Sequence, residues 1–194
     1  IKEGTVGVAN YALYNNSNVN QIYFPSSLKT IGMAAFYGCS ALTTVRGKTN
    51  RLTEISDYAF YKCSNLSTVE ISNNVTKIGR SAFYKSGIMS VEISKKVEEI
   101  GPYAYYGCED LLLLTFADNS ALKKIGEYAF GNDASLKRVE LPDGLTELGK
   151  RAFYKCSALE SVTFGNGIES LGEGAFEQCV ALTNITLPAS LKEV

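Results

Sequence analysis

Apolar positions recur along this chain with a long period. The clearest copy runs from Leu28 to Val45, LKTIGMAAFYGCSALTTV, and variants of it fill the sequence from one end to the other. Taking the repeated aromatic as an anchor, copies are anchored at Leu13, Phe36, Phe60, Phe83, Tyr105, Phe130, Phe153 and Phe176, at steps of 23, 24, 23, 22, 25, 23 and 23 residues. A period in this range, held in register over eight copies, predicts a solenoid in which each coil buries its apolar face against its neighbours.

Within a copy the pattern is L-x-x-I-G-x-x-A-F-x-x-C-x-x-L-x-x-V-x-I, and each position has a physical reading. The glycine four before the anchor (Gly32, Gly79, Gly101, Gly126, Gly149, Gly172) suits either a turn needing positive φ or a close backbone approach; Ala9 and Ser56 replace it in two copies. The residue before the anchor is alanine in all eight copies, so little more than a methyl fits there. A-F-x-x-C-x-x-L spaces apolar residues by three, which predicts a short helical or 3₁₀ turn. V-x-I, as in Val69–Ile71 and Val139–Leu141, alternates as a short half-buried strand does. Stacking would set those strands side by side and parallel, about 4.8 Å apart. Pro25, Pro142 and Pro188 follow the strand, where a missing N–H costs least. The coil at KSGIMS is one residue short, and Gly87 is the natural place to absorb the change.

These positions resemble the BspA-type (Treponema-type) leucine-rich repeat, whose hallmark reads IGxxAFxxCxxLxxVxIP, over essentially all of Val8 to Val194. The resemblance implies an α/β right-handed leucine-rich repeat solenoid of about eight coils. It implies short parallel strands on the concave face and short helical or 3₁₀ turns and loops elsewhere. It also implies a surface or secreted, extracytoplasmic protein engaged in adhesion to host or matrix proteins rather than in catalysis. The departures are mild: Tyr105 stands for Phe, and Asn16, Ser86 and Asp133 stand for Cys. The chain opens without Met and stops partway into a ninth copy, Leu191 and Val194 repeating Leu28 and Ile31. Residues 1–194 therefore read as one solenoid domain cut from a longer protein, with incomplete terminal coils.

Composition narrows the function classes. The net charge of −1, from 19 basic and 20 acidic residues, leaves no electrostatic footprint for nucleic acid. No run of about 18 apolar residues is present, so no membrane insertion is expected within this stretch. Histidine is absent, which removes the base of a Cys–His or Ser–His–Asp mechanism and any His-containing zinc site. No enzyme activity, metal or cofactor is expected. Glu98–Glu99 and Glu109–Asp110 read as solvated turn charges, and the sequon-like triplets at Asn15, Asn65, Asn74 and Asn184 matter only in a host that glycosylates.

Three columns of residues remain. Cys39, Cys63, Cys108, Cys156 and Cys179 share one repeat position; buried thiols are the favoured reading over disulfides or reactive groups, since an odd count cannot pair completely and stacked Cβ vectors run parallel. The residue after the anchor is tyrosine at Tyr14, Tyr37, Tyr61, Tyr84, Tyr106 and Tyr154. That flank ladder either braces the coils by stacking or offers rigid amphipathic area to a partner, and bracing is favoured. The outward strand positions include Tyr23, Arg46, Glu70, Glu92, Leu113, Arg138 and Glu140 among Thr and Ser. They read either as a surface recognising a protein or glycan, or as a merely soluble face; the acidic middle at Glu70, Glu92 and Glu140 hints at a basic partner. A spacer that only projects another module is the competing role.

Overall fold

The computed structural model describes all residues except Lys48, Ile71, Glu193 and Val194. It is a parallel-strand solenoid of about eight coils, and all its strand pairs are parallel, each between successive coils. Its interior is a set of columns, one side chain per coil. Leu28, Ile31, Ala35, Phe36, Cys39, Leu42 and Val45 of one coil are all buried, and their repeats line up above and below them. The anchor rings from Phe36 to Phe176 stack with centroids 5.0–5.6 Å apart and planes within 3–11°. Tyr105 occupies the same slot, its hydroxyl buried without a partner among the described residues.

Each coil contributes two strands where the sequence pattern predicts one. The expected strand lies at V-x-I: Gln21–Tyr23, Thr44–Arg46, Thr68–Val69, Ser90–Ile93, Leu113–Phe116, Arg138–Glu140, Ser161–Thr163 and Asn184–Ile185. Ile71, expected in this strand, lies outside the described residues, as does Val194 of the ninth copy. The additional strand sits just before the glycine position, at Thr30–Ile31, Glu54–Ile55, Lys77–Ile78, Glu99–Ile100, Lys124–Ile125, Glu147–Leu148 and Ser170–Leu171. Its outward residues pair in register as Glu54, Lys77, Glu99, Lys124, Glu147, an alternating charge ladder with Lys124 Nζ 2.7 Å from Glu147. Glu99 thus stands in a strand between two lysines, not at a turn.

The glycine before this corner works by close approach and not by positive φ. A Cβ on Gly126 would lie 2.6 Å from Pro102 N, and one on Gly172 2.3 Å from Lys150 N. The joints closed by Gly32, Gly79, Gly101, Gly126, Gly149 and Gly172 all pair their strands: Gly7–Val8 with Thr30–Ile31, and six strands from Glu54–Ile55 to Ser170–Leu171. Between Thr30–Ile31 and Glu54–Ile55, where Ser56 replaces the glycine, the sheet is interrupted. There a side chain occupies the position that glycine leaves open to the neighbouring backbone at the other joints.

The expected helical turn is replaced by a different device. The residues two before and two after the anchor have positive φ in every coil, from Tyr11 (57°) and Asn15 (56°) to Gly174 (64°) and Gln178 (63°). These two left-handed residues flip alternate amides. Phe36, for example, donates to Ala59 of the next coil at 2.9 Å, flanked by Ala34 to Asp57 and Gly38 to Tyr61, while Ala35, Tyr37 and Cys39 close turns three residues back. A helix would satisfy those groups within the coil. Here half are spent between coils, and three such bonds cross every joint from coil 1 to coil 8. This seam is continuous, unlike either sheet.

Candidate recognition surface

The seven outward strand residues stand on one face. Ile22, Val45, Val91, Leu114, Val139 and Val162 point into the core from the same strands, so pleat alternation turns Tyr23, Arg46, Glu92, Leu113, Arg138 and Glu140 to solvent. Glu70 follows its strand and is exposed as well. Register aligns Tyr23 with Arg46, and Glu92 with Thr115. Arg46 Nε lies 4.0 Å from Glu70, whose other oxygen accepts the Gly47 N–H at 3.2 Å. Among the described residues Glu92, Arg138 and Glu140 enter no ion pair.

This second-strand face is divided into three sheets, of three, two and three strands. The two divisions are grooves. One, of about 340 Å³, lies between Thr68–Glu70 and Ser90–Glu92 and is lined by hydroxyls and the two glutamates. The other, of about 290 Å³, lies between Leu113–Phe116 and Arg138–Glu140. The first division falls at the shortened coil. Ile88 takes the buried leucine slot there, and a Cβ on Gly87 would meet Ser64 O at 2.4 Å, so glycine admits the tighter path. Met89 is exposed beside Leu112 of the next coil, in the column just before the strand that is also exposed at Thr43, Lys137, Glu160 and Thr183.

The tyrosines form a second surface, on the turn flank. Tyr14, Tyr37, Tyr61, Tyr84 and Tyr106 stack in one run with centroids 4.5–5.2 Å apart. Gly131 ends the run. Tyr154 stands apart from it and meets Tyr128 edge-on at 5.6 Å. Arg151 lies over both rings, donates to the Tyr128 hydroxyl at 2.9 Å and to Glu177 at 2.7 Å, and so caps the strip. The rings are half-buried from Tyr37 onward, and burial holds the Tyr61 and Tyr106 hydroxyls above the usual phenol range.

The cysteine column is internal. All five thiols are free and buried, and each donates to the anchor carbonyl of the preceding coil, at 3.0–3.2 Å. Burial pushes the Cys108 thiol well above its ordinary value, away from the reactive thiolate. Asp133 holds the same slot, fully buried with neither oxygen partnered among the described residues, and burial drives its carboxyl well above the usual range. Among the described residues no cluster of Cys, Asp and Glu is grouped to hold a metal, and no helix is long and apolar enough to cross a membrane.

The repeat pattern of the BspA type leucine rich repeat region matches residues 1–112 and 110–194, in six copies. No curated protein matches the sequence. Among solved structures the chain is similar to the pneumococcal vaccine antigen PcpA, at 18% identity and TM-score 0.65 over 95% of this chain and 64% of that one. It is similar to the T. pallidum leucine rich repeat protein TpLRR, at 25% identity and TM-score 0.56 over 92% and 67%. A leucine-rich repeat protein from Eubacterium ventriosum is similar at 21% identity and TM-score 0.56, over 98% and 72%.

Proposed function

The chain belongs to the BspA-type leucine-rich repeat family, and from that premise we propose that it acts by non-covalent recognition of a macromolecule, as an adhesive segment of a surface or secreted protein. One observation carries the reading. Rigid columns fix the second-strand face, and the side chains it presents differ from coil to coil: Tyr23, Arg46, Glu70, Glu92, Leu113, Arg138 and Glu140. A fixed scaffold with a varied exposed surface is what a solenoid needs to bind selectively. In this reading residues 1–194 are one right-handed domain whose second-strand face is concave, and its partner is a host or matrix protein or a glycan. The likeness to an antigen of the pneumococcus supports an extracytoplasmic setting. The absence of histidine from the sequence supports a non-catalytic role.

The tyrosine run supports the competing role of a rigid spacer, because rings stacked coil on coil stiffen the array without needing a ligand. A screen against extracellular-matrix proteins, mucins and glycans at two salt concentrations separates the two. Recognition predicts a saturable hit that is lost in the Arg138→Glu, Glu140→Arg double variant; a blank across the panel favours the spacer.

A further inference from the structure

We infer that coils 4 to 6 hold the centre of the recognition surface, and that it takes an extended protein segment bearing a large apolar side chain beside a carboxylate. This rests on the recognition reading above and names its partner class.

Large apolar side chains that reach solvent gather at the two ends of the array, from Ile1 to Met33 and from Val180 to Leu187. Between those ends, among the described residues, only Met89, Leu112 and Leu113 do so, at 48%, 55% and 55% exposure. They lie at one place in the array. Leu113 pairs in register with Ser90, and the Leu112 N–H donates to Met89 O at 2.9 Å, so the residues immediately before the two strands are neighbours on adjacent coils. Their strands, Ser90–Ile93 and Leu113–Phe116, are the longest in the chain and form the isolated two-stranded sheet with a groove on either side. An apolar crown between two grooves, on a face otherwise polar, is the pattern of an interaction site and not of a solvated surface.

The chemistry around the crown selects the occupant. Lys137 and Arg138 are the repeat equivalents of Leu112 and Leu113 on the next coil, and neither is ion-paired among the described residues. Arg138 lines the 290 Å³ groove together with Leu113, Leu114, Thr115, Phe116 and Glu140. An apolar wall and a guanidinium outside any ion pair among the described residues thus share one opening, with the Glu140 carboxylate two residues along the strand. A carboxylate can reach that guanidinium in bidentate fashion while its neighbouring side chain covers the leucines. Glu92 and Glu140, at the far end of the same strands, fix the orientation by repelling that carboxylate. The patch is aliphatic. Its exposed residues, Met89, Leu112 and Leu113, give a glycan no aromatic face to stack on, whereas Met and Arg are enriched at protein interfaces.

The test uses the chain as it stands, panned against random peptides of about ten residues displayed on phage, long enough when extended to cross three coils. Enrichment of Leu, Ile, Met or Phe within a few positions of Asp or Glu is expected. Binding of an enriched peptide should fall at least about tenfold with Leu113→Ser and with Arg138→Glu, and stay unchanged with Lys77→Glu on the first-strand sheet. Leu113 is more than half exposed, so the serine variant should melt as the parent does. Failure to enrich any peptide overturns the inference. Peptides that respond to Tyr23→Ser and Arg46→Glu but ignore Leu113 and Arg138 overturn it while leaving the second-strand face as the binding surface. Peptides that respond only to Lys77→Glu, on the other sheet, overturn both.

Discussion

Asp133 is the residue most at odds with its surroundings. Every cysteine in its column donates to the carbonyl of the coil before it, and an ionised carboxylate can donate nothing. Buried completely, it holds its proton far above the range of an exposed aspartate, through desolvation first. The unfolded chain releases that proton near its ordinary value of about 3.9. Between that value and the raised one the folded state binds the extra proton, so this residue makes the protein less stable as pH rises. Asp133→Cys restores the column donor and removes the titration. Urea unfolding of parent and variant at about pH 4 and pH 7 should show little difference at the lower pH and a gain of about 1–3 kcal/mol for the variant at the higher one. Carboxylates common to both proteins cancel in that difference. Equal stability at both pH values would mean that Asp133 is not held neutral.

At the scale of the element, glycine decides where coils meet. Each joint of the first-strand sheets that contains the glycine is hydrogen-bonded, and the joint at Ser56 is not. Ser56→Gly should join Thr30–Ile31 to Glu54–Ile55 and raise stability by about 1 kcal/mol, the worth of a ladder bond or two less the added entropy of glycine. Gly126→Ala, whose Cβ would fall 2.6 Å from Pro102 N, should lower it by about 2 kcal/mol or more. Thermal melting of the two variants checks both, and a stabilised alanine variant would refute the close-approach reading. The repeat itself, the anchor stack, the V-x-I strand and the internal cysteines were legible in the sequence, because burial repeats whenever spacing does. The first strand was not: it spans two residues, Lys77–Ile78 for example, and so carries no alternation to detect. Nor was the doubled turn. Its left-handed positions hold Gly or Asn at Asn15, Gly38, Gly107, Asn132 and Gly174, but elsewhere residues such as Tyr58, Lys62, Lys85 and Arg151, types that give no local signal of positive φ, since the bonds to the next coil impose that conformation. Of the recognition surface, Leu113 and Arg138 were legible as outward residues; Met89 depended on where the shortened coil takes up its lost residue, and Leu112, in a full-length coil, stands one residue before the strand, beyond the reach of the V-x-I alternation.

Across the whole molecule the two sheets divide the work. The first-strand sheet is the longer and more regular, and its exposed side is a ladder of alternating Glu and Lys in which most charges stand beside an opposite one. Exposed pairs of this kind contribute little each, and three glutamates against two lysines leave the ladder with only a single net negative charge. The second-strand face is broken into three, grooved, and varied in charge and polarity. Stability and recognition are thereby assigned to different columns of one repeat. The most direct measurement is therefore a comparison of faces. Binding to whichever matrix protein or mucin the screen returns is measured for the parent, for the second-strand variant Arg138→Glu, Glu140→Arg, and for the first-strand variant Lys77→Glu, Glu99→Lys. Both exchanges preserve net charge. A loss of at least about tenfold for the second-strand variant, with the first-strand variant binding as the parent does, is the predicted result; the reverse order, or equal binding by all three, would contradict the assignment.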